Sequence, residues 1–269
     1  MKYEITNENK RGRRYSLTLQ RTLYRIKALK NFGKVKAGDL GGWIEGESNL
    51  SQEGDAWVSG NAQVFGKACV SGDAWVSGGA RVSGEAWVSA DAKVSGDAVV
   101  FGKALLFGNA KVYGNAEVYG DALVFENARV FGNAQVSEDA WVSGNAQVYK
   151  KAWVSEDAWV SGGAQVSGNA QVSGDAEISE YAEVYGNTKV SGKAWVYGDA
   201  KVYGKALVFG NARVSGDARV YGKAWVYGDA KVYGKAWVYG KAWVSGDAEI
   251  SEYAWVSEDA WVSEDAEVY

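Results

Sequence analysis

The chain has 269 residues, of which 47% are hydrophobic and 13% aromatic, enough to build a large core. It contains no His, no Pro and one Cys, which excludes an imidazole base, the commonest metal ligand, an internal disulfide and a cysteine zinc cluster. The first residues lack the apolar run of a signal peptide, and no stretch approaches the roughly 20 apolar residues that span a bilayer, so we expect a cytoplasmic protein without membrane contact.

The formal net charge of −4 hides two opposed regions. Residues 1–36 hold eleven Lys or Arg against two acids, a balance of +9. The remaining residues hold 18 basic against 31 acidic side chains, a balance of −13. We therefore expect a molecule whose basic charge is concentrated near its N-terminus.

Residues 1–53 predict an N-terminal basic cap. Alternating apolar residues at Leu17, Leu19 and Leu23, preceded by an extended segment at Tyr3, indicate a β-hairpin. Irregular, Gly-rich coils follow it. Solenoid ends expose unpaired backbone and bare core, and capping elements cover them. The repeat runs to residue 269 without a second cap, so we expect the C-terminal end to favour association.

Residues 54–269 consist of 36 six-residue units of the type Gly-Asp-Ala-Trp-Val-Ser, without insertion or deletion. The fifth position is Val in 33 units and Leu106, Ile178 or Ile250 in the others, while the third is Ala in all but one, which has Thr188. Alternation in Ala-x-Val-x places Ala and Val on one side of a short strand. The first position is Gly in 27 units, which predicts a turn with positive φ.

A bend every six residues closes a triangle after 18. The pattern therefore predicts one all-β solenoid domain, residues 54–269, of about 12 triangular parallel coils, roughly 55–60 Å long at the usual strand spacing. Residues 18 apart then stack on one face.

The repeat resembles the hexapeptide-repeat β-helix family, in which an aliphatic residue precedes a small one by four positions, as Val58 precedes Ala62 and Val64 precedes Ala68. The resemblance covers about four fifths of the chain. It implies a left-handed parallel β-helix, although the general crossover rule predicts the opposite hand.

A second resemblance lies in KVKAGDLGGWIE, residues 34–45, and NLSQEGDAWV, residues 49–58. These segments are similar to the leading part of bacterial and phage-encoded hexapeptide proteins. Some members of that group carry the names acetyltransferase or polymer-forming protein. The resemblance implies a bacterial or phage source but no established activity.

Enzymes of the resembled family depend on residues that this chain lacks. Its acyltransferases use a His base and a loop extruded from the prism, and its carbonic anhydrases bind zinc through three His. Acidic pairs recur at the turns, as at Glu138 and Asp139, but solvated turns are the simpler interpretation. Cys69 is expected to be a surface thiol. We predict no catalytic, cofactor-binding or metal-binding residue and no cofactor.

Outward columns carry large apolar side chains. One face is predicted to present a strip through Trp87, Trp141 and Trp159; Trp237 and Trp255 are assigned to the same face. Such a strip either stabilises its own ladder or forms a contact with a partner or a second copy. The predicted interface set is Trp87, Leu105, Phe107, Leu123, Phe125, Trp141 and Trp159, with Trp225, Trp243 and Trp261 on a second face.

Basic residues of the cap form a candidate site for an anionic partner. Phosphate backbones would be the ligand, and a solvated hairpin or attraction to the acidic residues 246–269 are the alternatives. The residues are Arg11, Arg13, Arg14, Arg21 and Arg25. We expect nucleic acid not to be the main partner.

Together these patterns favour a non-enzymatic structural or interaction protein, a rigid solenoid that forms homo-oligomers or docks an unknown protein partner. Two alternatives stay open. One is an acyltransferase-like enzyme with a degenerate or His-independent site, favoured by fold alone. The other is binding of carbohydrate or nucleic acid through the aromatic columns or the cap.

Overall fold

The computed structural model describes residues 1–11 and 21–269. The chain forms two compact units, Met1–Asn127 and Ala128–Tyr269, and each is described by itself below. We call them the N-terminal unit and the C-terminal unit. The predicted division between residues 53 and 54 stays a prediction.

The N-terminal unit begins with an antiparallel hairpin, as predicted. Strand β1 (Tyr3–Arg11) pairs with β2 (Thr22–Ala28), and residues 12–20 between them, including Arg13, Arg14, Leu17 and Leu19, lie outside the described residues. A third strand, β3 (Leu40–Ile44), pairs antiparallel with β2, and a 3₁₀ turn (Glu47–Asn49) follows it. Our prediction of irregular coils after the hairpin was therefore wrong for residues 40–44.

Three parallel sheets follow in the N-terminal unit, which we name N1, N2 and N3. Sheet N1 contains β5 (Gln63–Val64), β8 (Arg81–Val82), β11 (Val99–Val100) and β14 (Glu117–Val118). Sheet N2 contains β4 (Trp57–Val58), β7 (Trp75–Val76), β10 (Lys93–Val94) and β13 (Lys111–Gly114). Sheet N3 contains β6 (Cys69–Val70), β9 (Trp87–Val88), β12 (Leu105–Leu106) and β15 (Leu123–Val124).

The C-terminal unit has three parallel sheets of eight strands each, C1, C2 and C3. Sheet C1 contains β16 (Arg129–Gly132), β19 (Gln147–Val148), β22 (Gln165–Val166), β25 (Glu183–Val184), β28 (Lys201–Val202), β31 (Arg219–Val220), β34 (Trp237–Val238) and β37 (Trp255–Val256). Sheet C2 contains β17 (Gln135–Val136), β20 (Trp153–Val154), β23 (Gln171–Val172), β26 (Lys189–Val190), β29 (Leu207–Val208), β32 (Trp225–Val226), β35 (Trp243–Val244) and β38 (Trp261–Val262). Sheet C3 contains β18 (Trp141–Val142), β21 (Trp159–Val160), β24 (Glu177–Ile178), β27 (Trp195–Val196), β30 (Arg213–Val214), β33 (Lys231–Val232), β36 (Glu249–Ile250) and β39 (Glu267–Val268).

Strands pair with the strand 18 residues later, which confirms the predicted coil length. Trp57 lies beside Trp75, for example, and Trp141 beside Trp159. Counting three strands to a coil, the N-terminal unit has four coils and the C-terminal unit eight, as predicted. An incomplete coil precedes them, because β3 pairs parallel with β5 and Leu50 bridges Val70. The left-handed sense stays a prediction.

The hydrogen bonds explain why strands only two residues long form a stable solenoid. In one repeat, the N–H groups of Trp57, Ser59 and Asn61 donate to carbonyls of the next coil at 2.8–2.9 Å. The pattern recurs along both units, so each repeat is bonded to the next coil at three points. Tight turns thus become part of the parallel ladder rather than interruptions of it.

The core is the predicted column of aliphatic and Ala side chains. Val, Leu and Ile at the fifth position and Ala at the third are almost all fully buried. Each buried Val contributes on the order of 1.5–3 kcal/mol. Ala is favoured at the third position because a small side chain fits a closely packed site, and Thr188 is the one larger residue buried there.

The first repeat position adopts a positive φ, as predicted. All nine non-Gly residues there share it: Ala90, Glu126, Glu138, Lys150, Glu156, Glu180, Glu252, Glu258 and Glu264. A non-Gly residue with positive φ is strained, so the coil geometry overrides the local backbone preference at these nine positions.

Candidate interaction surface

Sheet N3 brings the predicted apolar side chains of the N-terminal unit together. Leu105 lies in register between Trp87 and Leu123. The rings of Phe107 and Phe125 stack with centroids 5.0 Å apart and an interplanar angle of 7°. Trp87 is 56% exposed and Phe107 38% exposed, so this strip is open to contact.

Sheet C3 carries the other two members of the predicted strip. Trp141 and Trp159 pair in register, and their rings stack at 4.8 Å and 7°. They are 37% and 46% exposed. Continuity of the two parts as one interface stays a prediction.

Sheet C2 holds the second predicted set. Trp225 and Trp243 stack at 4.9 Å with parallel planes, and Trp261 lies 5.7 Å from Trp243 at a tilt of 57°. Trp237 and Trp255 stack on sheet C1, at 5.4 Å. Assigning that pair to the face of Trp141 was therefore wrong, because their strands belong to a different column of the 18-residue repeat.

A tyrosine ladder on sheet C1 was not predicted as a feature. Tyr185, Tyr203, Tyr221 and Tyr239 stack in sequence with centroids 5.0, 4.8 and 5.1 Å apart. Burial raises the pKa of Tyr185, Tyr203 and Tyr221 above the ordinary phenol value. The signal was present in the sequence, as Tyr at the sixth repeat position every 18 residues. Stacked rings expose their edges and leave no free ring face between them.

The basic residues of the cap are partly neutralised by neighbours. Arg21 forms an ion pair with Glu45 at 2.6 Å, and Arg25 lies 3.3 Å from Glu8. Arg25 also lies over the ring of Trp43 at 5.5 Å. Arg11 is exposed at the end of β1 and, with Lys10, lines a groove of about 470 Å³. The structure therefore leaves fewer free cations here than the sequence count suggests.

A larger cavity, of about 820 Å³, lies beside the cap between Phe65 and the Arg21–Glu45 pair. Its charges compensate one another, since Lys67 lies 2.7 Å from Glu85 on its rim. The Glu85 ion pair lowers the pKa of that carboxyl and raises the pKa of Lys67. Paired, exposed charges of this kind do not favour proton transfer at neutral pH.

In the acidic turns, glutamate carboxylates accept hydrogen bonds from backbone N–H groups of the next coil. Glu138 Oε2 accepts the backbone N–H of Glu156 at 3.1 Å, and Glu156 Oε2 in turn accepts the N–H of Gly174. Among the described residues, no three Asp, Glu or Cys side chains converge as metal ligands would. Burial raises the pKa of the half-buried Cys69 thiol, which lowers its thiolate content and reactivity.

Across residues 1–11 and 21–269, no helix has the length and apolar character needed to cross a bilayer.

Two matches to known proteins cover short segments of the chain. Residues 212–228 match the family model of the YdcK β-solenoid repeat. A 50-residue segment is 46% identical to the uncharacterized acetyltransferase YdcK of Escherichia coli (strain K12). That segment is 18% of this chain and 15% of the relative, so the chain matches less than a sixth of the relative's length. The six-residue repeat, the stacked parallel coils and these matches support a hexapeptide-repeat β-helix group for this chain.

Proposed function

We propose that the protein is a non-enzymatic structural or interaction protein, a rigid solenoid that associates with copies of itself or docks a protein partner through its aromatic columns. The observation that carries the proposal is the exposed stack of Trp141 on Trp159, 4.8 Å apart on sheet C3. Contiguous exposed aromatic side chains are typical of interfaces.

Stacking alone explains why these rings are ordered but not why they are exposed. A ladder pair contributes roughly 0.2–1 kcal/mol to its own sheet. A polar residue at the fourth repeat position would leave the core unchanged, and many repeats have Lys, Gln or Glu there. Exposed Trp at the fourth position therefore adds apolar surface that the fold does not need, which supports a role in contact.

The name of the matched relative raises acyl transfer as another function. We do not favour it, because the match covers 15% of that protein and this chain has no His to deprotonate an acceptor. The described carboxylates near the cavity are paired with cations or accept backbone N–H groups.

The proposal is tested by light scattering across protein concentration, comparing the wild type with the double variant Leu123→Glu, Trp141→Glu. We expect the wild type to associate and the variant to be monomeric, because each change places a charge in an apolar contact. Circular dichroism should be unchanged, since both side chains point out of the core.

Trp255→Glu is the matched control. Trp255 is 65% exposed but lies on sheet C1, outside the predicted interface set, so its replacement should leave association intact. A wild-type protein that stays monomeric at every concentration would refute self-association. A folded double variant that associates like the wild type would place the interface elsewhere.

A further inference from the structure

Two corners of the C-terminal unit share the sequence Ala-Trp-Val after a turn, and the turns carry opposite charges. Residues 222–226 and 240–244 read Gly-Lys-Ala-Trp-Val, while residues 138–142 and 156–160 read Glu-Asp-Ala-Trp-Val. In each, the charged side chain sits at the turn and the Trp two residues later begins the next strand. The two corners therefore have matching shapes and opposite charges.

The first corner, which we call the basic corner, carries a column of three lysines: Lys205, Lys223 and Lys241. All three are exposed at the turn between sheets C1 and C2. Lys241 lies 3.6 Å from Asp259, but neither Lys205 nor Lys223 has a carboxylate within 4.0 Å among the described residues. Trp225 and Trp243 stack directly beside this column.

The second corner, which we call the acidic corner, carries a column of three aspartates: Asp139, Asp157 and Asp175. These side chains are exposed at the turn between sheets C2 and C3, and the described part of the chain gives them no ion pair. Trp141 and Trp159 stack beside it, as the other Trp pair does beside the basic corner.

In both columns, successive charged residues lie one coil apart. The ring spacings beside them, 4.9 Å for Trp225 and Trp243 and 4.8 Å for Trp141 and Trp159, measure the same step. Like charges held about 4.8 Å apart repel, and a facing column of opposite charge with the same step removes that repulsion at every rung. A second copy of this chain carries such a facing column at the same interval.

We propose that the basic corner of one copy docks on the acidic corner of a second copy, with the flanking Trp pairs in apolar contact. This inference rests on the proposed self-association and names its surface and partner. The two corners differ, so the contact is heterologous: each bound copy still offers one free corner of each kind. Growth can then continue beyond a dimer.

Charge reversal tests the pairing. One variant carries Lys205→Asp, Lys223→Asp and Lys241→Asp; the other carries Asp139→Lys, Asp157→Lys and Asp175→Lys. The turns accept these residues already, since Asp259 continues the basic column and Lys193 the acidic one. Each variant alone should associate at least about tenfold more weakly than the wild type at low salt.

An equimolar mixture of the two variants is the decisive sample. The first variant carries acidic residues at both corners and the second carries basic residues at both, so complementary contacts form only between unlike variants. We expect the mixture to recover the association that each variant alone has lost, by light scattering and analytical ultracentrifugation, and the recovered assembly to dissociate as added salt screens the charges.

Asp199→Lys with Asp217→Lys, at the third corner, is the control for a change of net charge and should associate as the wild type does. If both triple variants associate like the wild type, or the mixture associates no better than either variant alone, the corner pairing is wrong while self-association stands. If the wild type itself is monomeric at low salt, the proposed function fails first.

Discussion

Lys2 Nζ donates a hydrogen bond to the carbonyl of Ala56 at 2.9 Å, joining two residues 54 positions apart. The same ammonium group donates to the carbonyls of Glu53 and Gly54, both at 3.2 Å. Lys2 is only 1% exposed. Its side chain thus satisfies three carbonyls at the first turn of the repeat, a role that a cap on a solenoid end must fulfil.

We expect Lys2→Met to destabilise the protein by about 2 kcal/mol, because it leaves buried carbonyls without donors while keeping an unbranched side chain of similar size. Urea unfolding followed by circular dichroism measures the change. Lys34→Met is the control, since Lys34 is exposed. Equal midpoints for the two variants would contradict a capping role for Lys2.

The same lysine predicts a pH dependence. Burial lowers the pKa of Lys2 to about 8, although Asp55 and Asp73 act to raise it. Between pH 8 and about 10.5 the unfolded chain keeps a proton that the folded chain has lost, so the contribution of Lys2 to stability rises with pH. The loss caused by Lys2→Met should therefore be larger at pH 10 than at pH 7. A loss that is equal at both pH values would show that Lys2 titrates normally.

Gly102 tests the crowding of the turn column. Its φ is +76°, and a Cβ there would lie 2.7 Å from the carbonyl oxygen of Gly120 in the next coil. We expect Gly102→Ala to cost about 1–3 kcal/mol, from strain and from the displaced coil. Gly46→Ala should be nearly neutral, because Gly46 is extended and a Cβ there meets nothing within 4 Å. Thermal unfolding of both variants measures the difference, and equal unfolding temperatures would contradict crowding at Gly102.

Thr188 is the single departure from Ala at the third repeat position, and its buried Oγ1 has no hydrogen-bond partner among residues 1–11 and 21–269. Thr188→Val keeps the shape and removes the hydroxyl, so we expect a gain of about 1 kcal/mol. The reciprocal change in the next coil, Ala206→Thr, should destabilise. Urea midpoints test both, and a loss of stability in Thr188→Val would mean that the hydroxyl is bonded.

The sequence determined the repeat, the coil length, the core columns and the positive-φ turns, because a period of six allows only one alternation of buried and exposed positions. It also located the stacked pairs at Trp141 and Trp225 by counting 18 residues. Only the tertiary structure revealed that β3 joins the cap to sheet N1, that Lys2 is buried, and that Arg21 forms an ion pair with Glu45. Those contacts lie outside the repeat and join residues far apart in the chain, so no local period could predict them.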